Sequence, residues 1–243
     1  MIRLDSLTCK YENRTVLEDV SLHVKQHLSV LGANGSGKST FAKALCKLID
    51  YEGIISLDNI DIKNLSSLEL AKSITYIPAK LEVYDPYISV YEFVLLGRFA
   101  YKKSFFEYSQ GDKQCVDEKL KLLNIEHLQE YHVADLSSGE QQLSLIAQAL
   151  TQESKIIIFD EPTANLDPYN SKIIANHIKR LKESHQVILI THDLHLSKYI
   201  DNPILFISQK KTHYYDDRAS FFDEAVLQEH YGVTFDALAV QYE

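Results

Sequence analysis

Gly32-Ala33-Asn34-Gly35-Ser36-Gly37-Lys38-Ser39-Thr40 follows an apolar run, Leu28 to Leu31, and leads into apolar residues at helical spacing, Phe41, Ala44, Leu45 and Leu48. A strand, a glycine-rich turn and a helix in that order make a phosphate cradle. Gly32, Gly35 and Gly37 let the backbone bend with its N–H groups inward, so that several donors and a helix N-terminus converge on one polyphosphate. Lys38 adds a mobile cation for the outer phosphates, and Ser39 offers a hydroxyl to Mg²⁺.

Working outward, the 243 residues are 45% hydrophobic, enough for one folding unit with lobes. The net charge of −9 argues against a broad nucleic-acid-binding face, which needs clustered Lys and Arg. Cys9, Cys46 and Cys115 lie far apart and form no CxxC pair, which suits a reducing compartment and small apolar roles. The N-terminus lacks a signal-type apolar stretch, and no run approaches the roughly 18 apolar residues that span a bilayer. The expectation is a chain that does not cross a membrane by itself.

Short strands are expected at residues 2–7 and 20–24, and a hairpin over 54–62 around Asp58-Asn59. From about residue 65 to 150 the pattern becomes amphipathic and helical, over 90–96, 116–123 and 143–150, as in an inserted helical lobe. Two continuous apolar runs, 156–159 and 187–190, flank a helix bearing Ile173, Ile174, His177, Ile178 and Leu181. Continuous runs alternating with helices predict a buried parallel sheet. The tail reads as a hairpin around 209–212 and a last helix near 221–230.

The run Ile156-Ile157-Ile158-Phe159 ends in Asp160-Glu161-Pro162, two carboxylates at the C-terminal edge of a parallel strand, where ligands sit in open α/β sheets. Successive side chains of an extended segment diverge, so Asp160 is assigned to the Mg²⁺ shell and Glu161 to polarising the attacking water. His192 follows the other run in Ile190-Thr191-His192-Asp193 and is placed to hold the γ-phosphate and its water.

Leu136-Ser137-Ser138-Gly139-Glu140-Gln141-Gln142 precedes an amphipathic helix (Leu143, Ile146, Ala147, Leu150). With this heptapeptide the chain resembles the nucleotide-binding subunits of ATP-binding cassette (ABC) transporters over nearly its whole length. The resemblance implies an α/β fold: a P-loop NTPase parallel-sheet core (1–84 and 152–243), an antiparallel β subdomain and an inserted helical lobe (about 85–151). It implies ATP hydrolysis with Mg²⁺, and a head-to-tail homodimer in which Ser137, Ser138, Gly139 and Glu140 meet the ATP of the other subunit. Tyr11 resembles the aromatic that stacks on adenine. Asp167, in Ala164-Asn165-Leu166-Asp167, resembles the residue that steadies the opposite cradle, and His192 the family's switch histidine.

Ala79 and Lys80 stand after Ile74-Thr75-Tyr76-Ile77-Pro78 where the family usually has a glutamine, and a methyl group neither coordinates Mg²⁺ nor orients water. Ser138 replaces the commoner glycine. The segment from Val90 to Arg98 resembles the lobe of iron–siderophore, haem and cobalamin importer ATPases, and the aromatic stretch 99–106 reads equally as a docking surface or as lobe core. The resemblance therefore implies a peripheral subunit on the cytoplasmic face of the membrane, integral-membrane permease subunits, and indirectly an extracytoplasmic solute-binding protein. Three rivals remain: a soluble cassette ATPase that remodels ribosomes or nucleic acid, a small-molecule kinase, and an ATP-binding regulatory subunit with weak turnover.

Overall fold

A computed structural model describes residues 1–12, 14–102 and 107–232. It divides into two compact units, Met1–Leu65 with Gln186–Glu243, and Ser66–His185. The lobe read from the sequence, 85–151, falls wholly within the second.

The first unit opens with β1 (Ile2–Tyr11), β2 (Arg14–Val24), β3 (Leu28–Leu31), α1 (Lys38–Leu45), β4 (Glu52–Leu57) and β5 (Ile60–Asp61). Strands β2-β1-β4-β5 form an antiparallel sheet. Ile2, Leu4, Leu7 and Cys9 of β1 are buried. Both strands extend well beyond the expected 2–7 and 20–24, because their outer ends carry polar residues that break the apolar signal while the ladder continues to Tyr11 opposite Arg14. Asp58 and Asn59 turn the expected hairpin at φ 47° and 67°, the positive values that two-residue hairpins require.

The second unit contains α2 (Ser67–Ala71), β6 (Ile74–Ile77), α3 (Val90–Leu95), α4 (Gln110–Leu122), α5 (Ser138–Thr151), β7 (Ile156–Asp160) and α6 (Pro168–Leu181). Strands β6 and β7 pair in parallel. Helix α4 starts six residues before the expected 116, since its first turn is polar and is set by a capping box between Ser109 and Asp112 rather than by apolar spacing. A Cβ on Gly97 would lie 2.2 Å from the Gln148 carbonyl oxygen, so the turn after α3 sits against α5 only as glycine. Arg98 is buried beside it, donating to Asp112 at 2.9 Å and to the Thr151 carbonyl at 2.8 Å, partners that a buried charge demands. Of the aromatic stretch 99–106, residues 103–106 lie outside the described residues.

The chain closes in the first unit with β8 (Gln186–Ile190), α7 (Leu194–Ile200), β9 (Ile204–Ser208), β10 (Lys211–Tyr215), α8 (Arg218–Phe221) and α9 (Glu224–Tyr231). Strand β3 pairs in parallel with both β8 and β9, and β10 runs antiparallel to β9. The expected last helix is two short ones, α8 and α9. They bury Phe221 and Leu227 against Leu31 and Phe206, so the closing helices pack onto the end of the strand that leads into the cradle. The three cysteines are free thiols; burial pushes Cys9 up to about 11 and Cys46 up to about 12, values that make them inert packing groups.

Candidate functional site

All four residues of β3 are buried, and the chain turns sharply as it leaves them. Gly32 has φ 151°, and a Cβ there would lie 2.4 Å from the Ile207 carbonyl oxygen, so the turn admits no side chain. Gly37, at φ 110°, is the N-cap of α1 and offers no side-chain hydrogen bond. Every other described α-helix has a Ser or Asp side chain capping its first turn. The start of α1 thus has no side-chain cap of the kind given to the rest, and its first turn, with the helix dipole, suits an anion.

A cleft of about 340 Å³ lies over this turn, lined by Tyr11, Arg14, Val16, Gly35, Gly37, Lys38, Ser39 and Thr40. Gly32, Ala33, Asn34 and Ser36 complete the loop but do not line it. Tyr11, 45% exposed, presents an aromatic face at the end of β1. Lys38 differs from its sequence reading as a mobile cation: it is buried, and its ammonium donates to the Gly32 and Ala33 carbonyls at 2.9 and 3.2 Å. A charge taken from water needs acceptors, and the bent loop supplies them. Arg14 escaped the sequence reading because no motif marks it; the β1–β2 register alone sets it opposite Tyr11. His192 is exposed just after β8, at the same C-terminal strand edge as the cradle, since Thr191 donates its N–H to the Val30 carbonyl at 3.1 Å.

In the second unit Asp160 is the last residue of β7 and is 2% exposed. The Tyr76 hydroxyl donates to its Oδ2 at 2.7 Å, whereas its Oδ1 is buried with no hydrogen-bond partner among the described residues. Glu161 is half-buried with φ 49°. The expected divergence of the two carboxylates through strand alternation is therefore replaced by another cause: the chain enters the left-handed region at Glu161 and leaves the sheet there. A non-glycine residue in that region costs about 1 kcal/mol, a strain that collects at functional positions.

Helix α5 begins in a closed capping box. Ser137 Oγ accepts from the Glu140 N–H at 3.4 Å, and the Glu140 carboxylate accepts from the Ser137 N–H at 2.9 Å and its hydroxyl at 2.6 Å. The hydrogen bond from the Ser137 hydroxyl, with that from its backbone, holds Glu140 below its ordinary pKa. Ser138 is exposed, while Gly139 is buried, and a Cβ on it would lie 2.7 Å from the Asn170 side chain. Asn170 in turn donates its backbone N–H and its amide to the two oxygens of Asp167, at 3.0 and 2.6 Å, which lowers the Asp167 pKa. Asp167 so caps α6, and Asn170 links that cap to the start of α5.

Mg²⁺ prefers oxygen donors, and the orphaned Asp160 Oδ1 and the exposed Ser39 hydroxyl are donors of that kind. Ser39 in the first unit and Asp160 in the second each suit the ion by their own chemistry. Among the described residues no cluster of three or more His, Cys, Asp or Glu could hold a metal by itself, and no helix is long and apolar enough to cross a membrane.

The family model for ABC transporters matches residues 17–164. The chain belongs to this family. It is 38% identical over 211 residues to an uncharacterized ABC transporter ATP-binding protein of Methanocaldococcus jannaschii, covering 84% of this chain and 82% of that one. A manganese transport system ATP-binding protein of Halalkalibacterium halodurans is 30% identical, with coverages of 84% and 82%. The petrobactin import ATP-binding protein of Bacillus anthracis is 28% identical, with coverages of 88% and 80%. Among solved structures, an inward-facing transporter described as of the metal-chelate type superposes with a TM-score of 0.83 at 25% identity, covering 96% of this chain and 89% of that one. A dimeric ATP-binding cassette bound to ADP and Pi superposes with a TM-score of 0.76 at 26% identity, with coverages of 89% and 98%. This ABC protein is thus an ATPase that binds and hydrolyses ATP for transport.

Proposed function

We propose that this ATPase works as a homodimer beneath separate permease subunits and drives import of a metal ion or metal chelate, such as an iron–siderophore complex. The observation that carries the nucleotide part is the uncapped start of α1 facing a cleft that holds Tyr11 and Lys38. Tyr11 stacks on the base, the α1 amides and Lys38 bind the phosphates, and Ser39 and Asp160 hold Mg²⁺. That ion supplies charge neutralisation of the phosphates. Glu161 draws a proton from the water that attacks the γ-phosphate, and His192 orients the γ-phosphate. Ser137, Ser138, Gly139, Glu140 and Asp167 face the partner copy's nucleotide.

The metal-chelate substrate rests on the names of the manganese, petrobactin and metal-chelate relatives. A permease contact is supported by the second unit's surface, where a cleft of about 480 Å³ lined by Tyr87, Leu95, Leu96 and Tyr108 lies on the same unit as Tyr84 and Phe99, 89% and 65% exposed. Tyr101 belongs to the lobe instead, donating to the Gln152 carbonyl at 3.1 Å.

The test is Glu161→Gln, which should bind ATP normally, lose most turnover and elute as a nucleotide-dependent dimer in size-exclusion chromatography. Ordinary turnover in that variant overturns the role. Metal-dependent uptake in cells carrying and lacking this chain tests the substrate. Ala79 favours the second reading, a subunit with weak turnover: Ala79→Gln then raises hydrolysis in reconstituted membranes, and an unchanged rate removes that reading.

A further inference from the structure

We infer that Tyr76 is a positioning residue for the metal-side carboxylate, an assignment that rests on the reading of Asp160 given above. Strand β6 runs parallel to β7 with Tyr76 beside Ile158. Side chains alternate along a strand, so Tyr76 shares its face with Ile158 and Asp160, two residues or about 6.6 Å further on at roughly 3.3 Å per residue. A long side chain with a terminal donor spans that distance, and the Tyr76 hydroxyl reaches Asp160 Oδ2 at 2.7 Å. Its neighbour Thr75 faces the other way and donates to Ser154 at 2.8 Å.

The consequence lies in how the carboxylate is divided. Asp160 is 2% exposed, one oxygen is held by the Tyr76 hydroxyl, and the other is buried with no partner among the described residues. A buried carboxylate oxygen left unmatched is costly, and it persists where a further ligand completes it. Held at Oδ2, the group cannot rotate to share both oxygens, so Oδ1 is the one presented. Groups that orient a metal-binding carboxylate in this way are worth about tenfold or more in metal affinity.

The experiment compares full-length wild type, Tyr76→Phe, Tyr76→Leu and Asp160→Asn, each first checked for folding by circular dichroism and thermal melting. Mn²⁺ serves as the probe, titrated by electron paramagnetic resonance into protein loaded with a non-hydrolysable ATP analogue. Analogue binding measured in EDTA should match wild type in Tyr76→Phe, while Mn²⁺ affinity falls about tenfold. The Mg²⁺ concentration for half-maximal hydrolysis should rise by the same factor, with the maximal rate recovered at saturating Mg²⁺. Tyr76→Leu should show the same defect as Phe. Unchanged Mn²⁺ affinity in Tyr76→Phe overturns the assignment, and a defect in Leu alone overturns it in favour of ring packing. If Asp160→Asn also binds Mn²⁺ like wild type, the underlying reading of Asp160 fails with it; a defect in Asp160→Asn alone leaves that reading standing.

Discussion

Helices α1 and α5 both begin at glycine-containing motifs, yet their N-termini are finished in opposite ways. At α1 the cap is Gly37, with no side chain to offer, and the loop before it bends around Lys38. At α5 the cap is Ser137, closed into a reciprocal box with Glu140. The first terminus is ready for an anion; the second already has one, the Glu140 carboxylate. An anion arriving at α5 must compete with that carboxylate, whereas at α1 no capping side chain stands in its way. Two motifs that look alike as glycine-rich helix starts therefore differ in what occupies their first-turn amides: nothing from a side chain at α1, a Ser–Glu box at α5.

The sharpest way to break this contrast is Lys38→Ala, which should weaken ATP binding about a hundredfold by removing the buried cation of the loop. Calorimetric titration checks it, with Glu140→Ala as the matched change at the other terminus; that variant should leave the affinity of a single chain for ATP as it was. Equal losses in both would erase the distinction. Next in size is Gly139→Ala, whose Cβ would lie 2.7 Å from the Asn170 side chain. Crowding of that kind should cost about 1–3 kcal/mol in urea unfolding, and Asn170→Ala in the same chain should return most of it.

Glu140→Gln keeps an acceptor for the α5 box but removes its charge from the helix start, and should cost about 0.5 kcal/mol at neutral pH. The pH dependence has a definite sign. Because the Glu140 pKa is depressed on folding from 4.5, its contribution is complete above that value and disappears as pH falls through the folded-state value. Unfolding curves of wild type and Glu140→Gln should thus converge in acid, part as pH rises through the folded-state value, and stay fully separated above pH 4.5. The smallest effect belongs to Arg14→Ala: an exposed cation at the cleft rim should contribute about threefold to ATP affinity, and less as salt is raised. A salt-independent loss would mean that Arg14 packs against the base rather than attracting phosphate.

The parallel strands were legible because β3, β7 and β8 are continuous apolar runs, and the hairpins because Asp58-Asn59 and the turn at Gln209-Lys210 sit between them. What escaped were polar helix starts such as that of α4, whose identity lies in a Ser–Asp pair rather than in apolar spacing, and the division of the last helix into α8 and α9. Within the candidate site, Lys38 was found but its anchoring to the Gly32 and Ala33 carbonyls was not, since nothing in a linear motif says which way a side chain folds back. Arg14 and Tyr76 carried no signal at all.

Taken alone, the order of residues determined the cradle, the carboxylate strand end and the capped heptapeptide, because each is built from neighbours in the chain whose backbone preferences and hydrogen bonds are local. Tertiary structure decided the rest: that Tyr76 reaches Asp160, that Asn170 sits where a Cβ on Gly139 would go, and that Arg14 shares a cleft with Lys38. Those relations span up to 84 residues. They depend on strand register and helix packing, which form only when distant segments exclude water together.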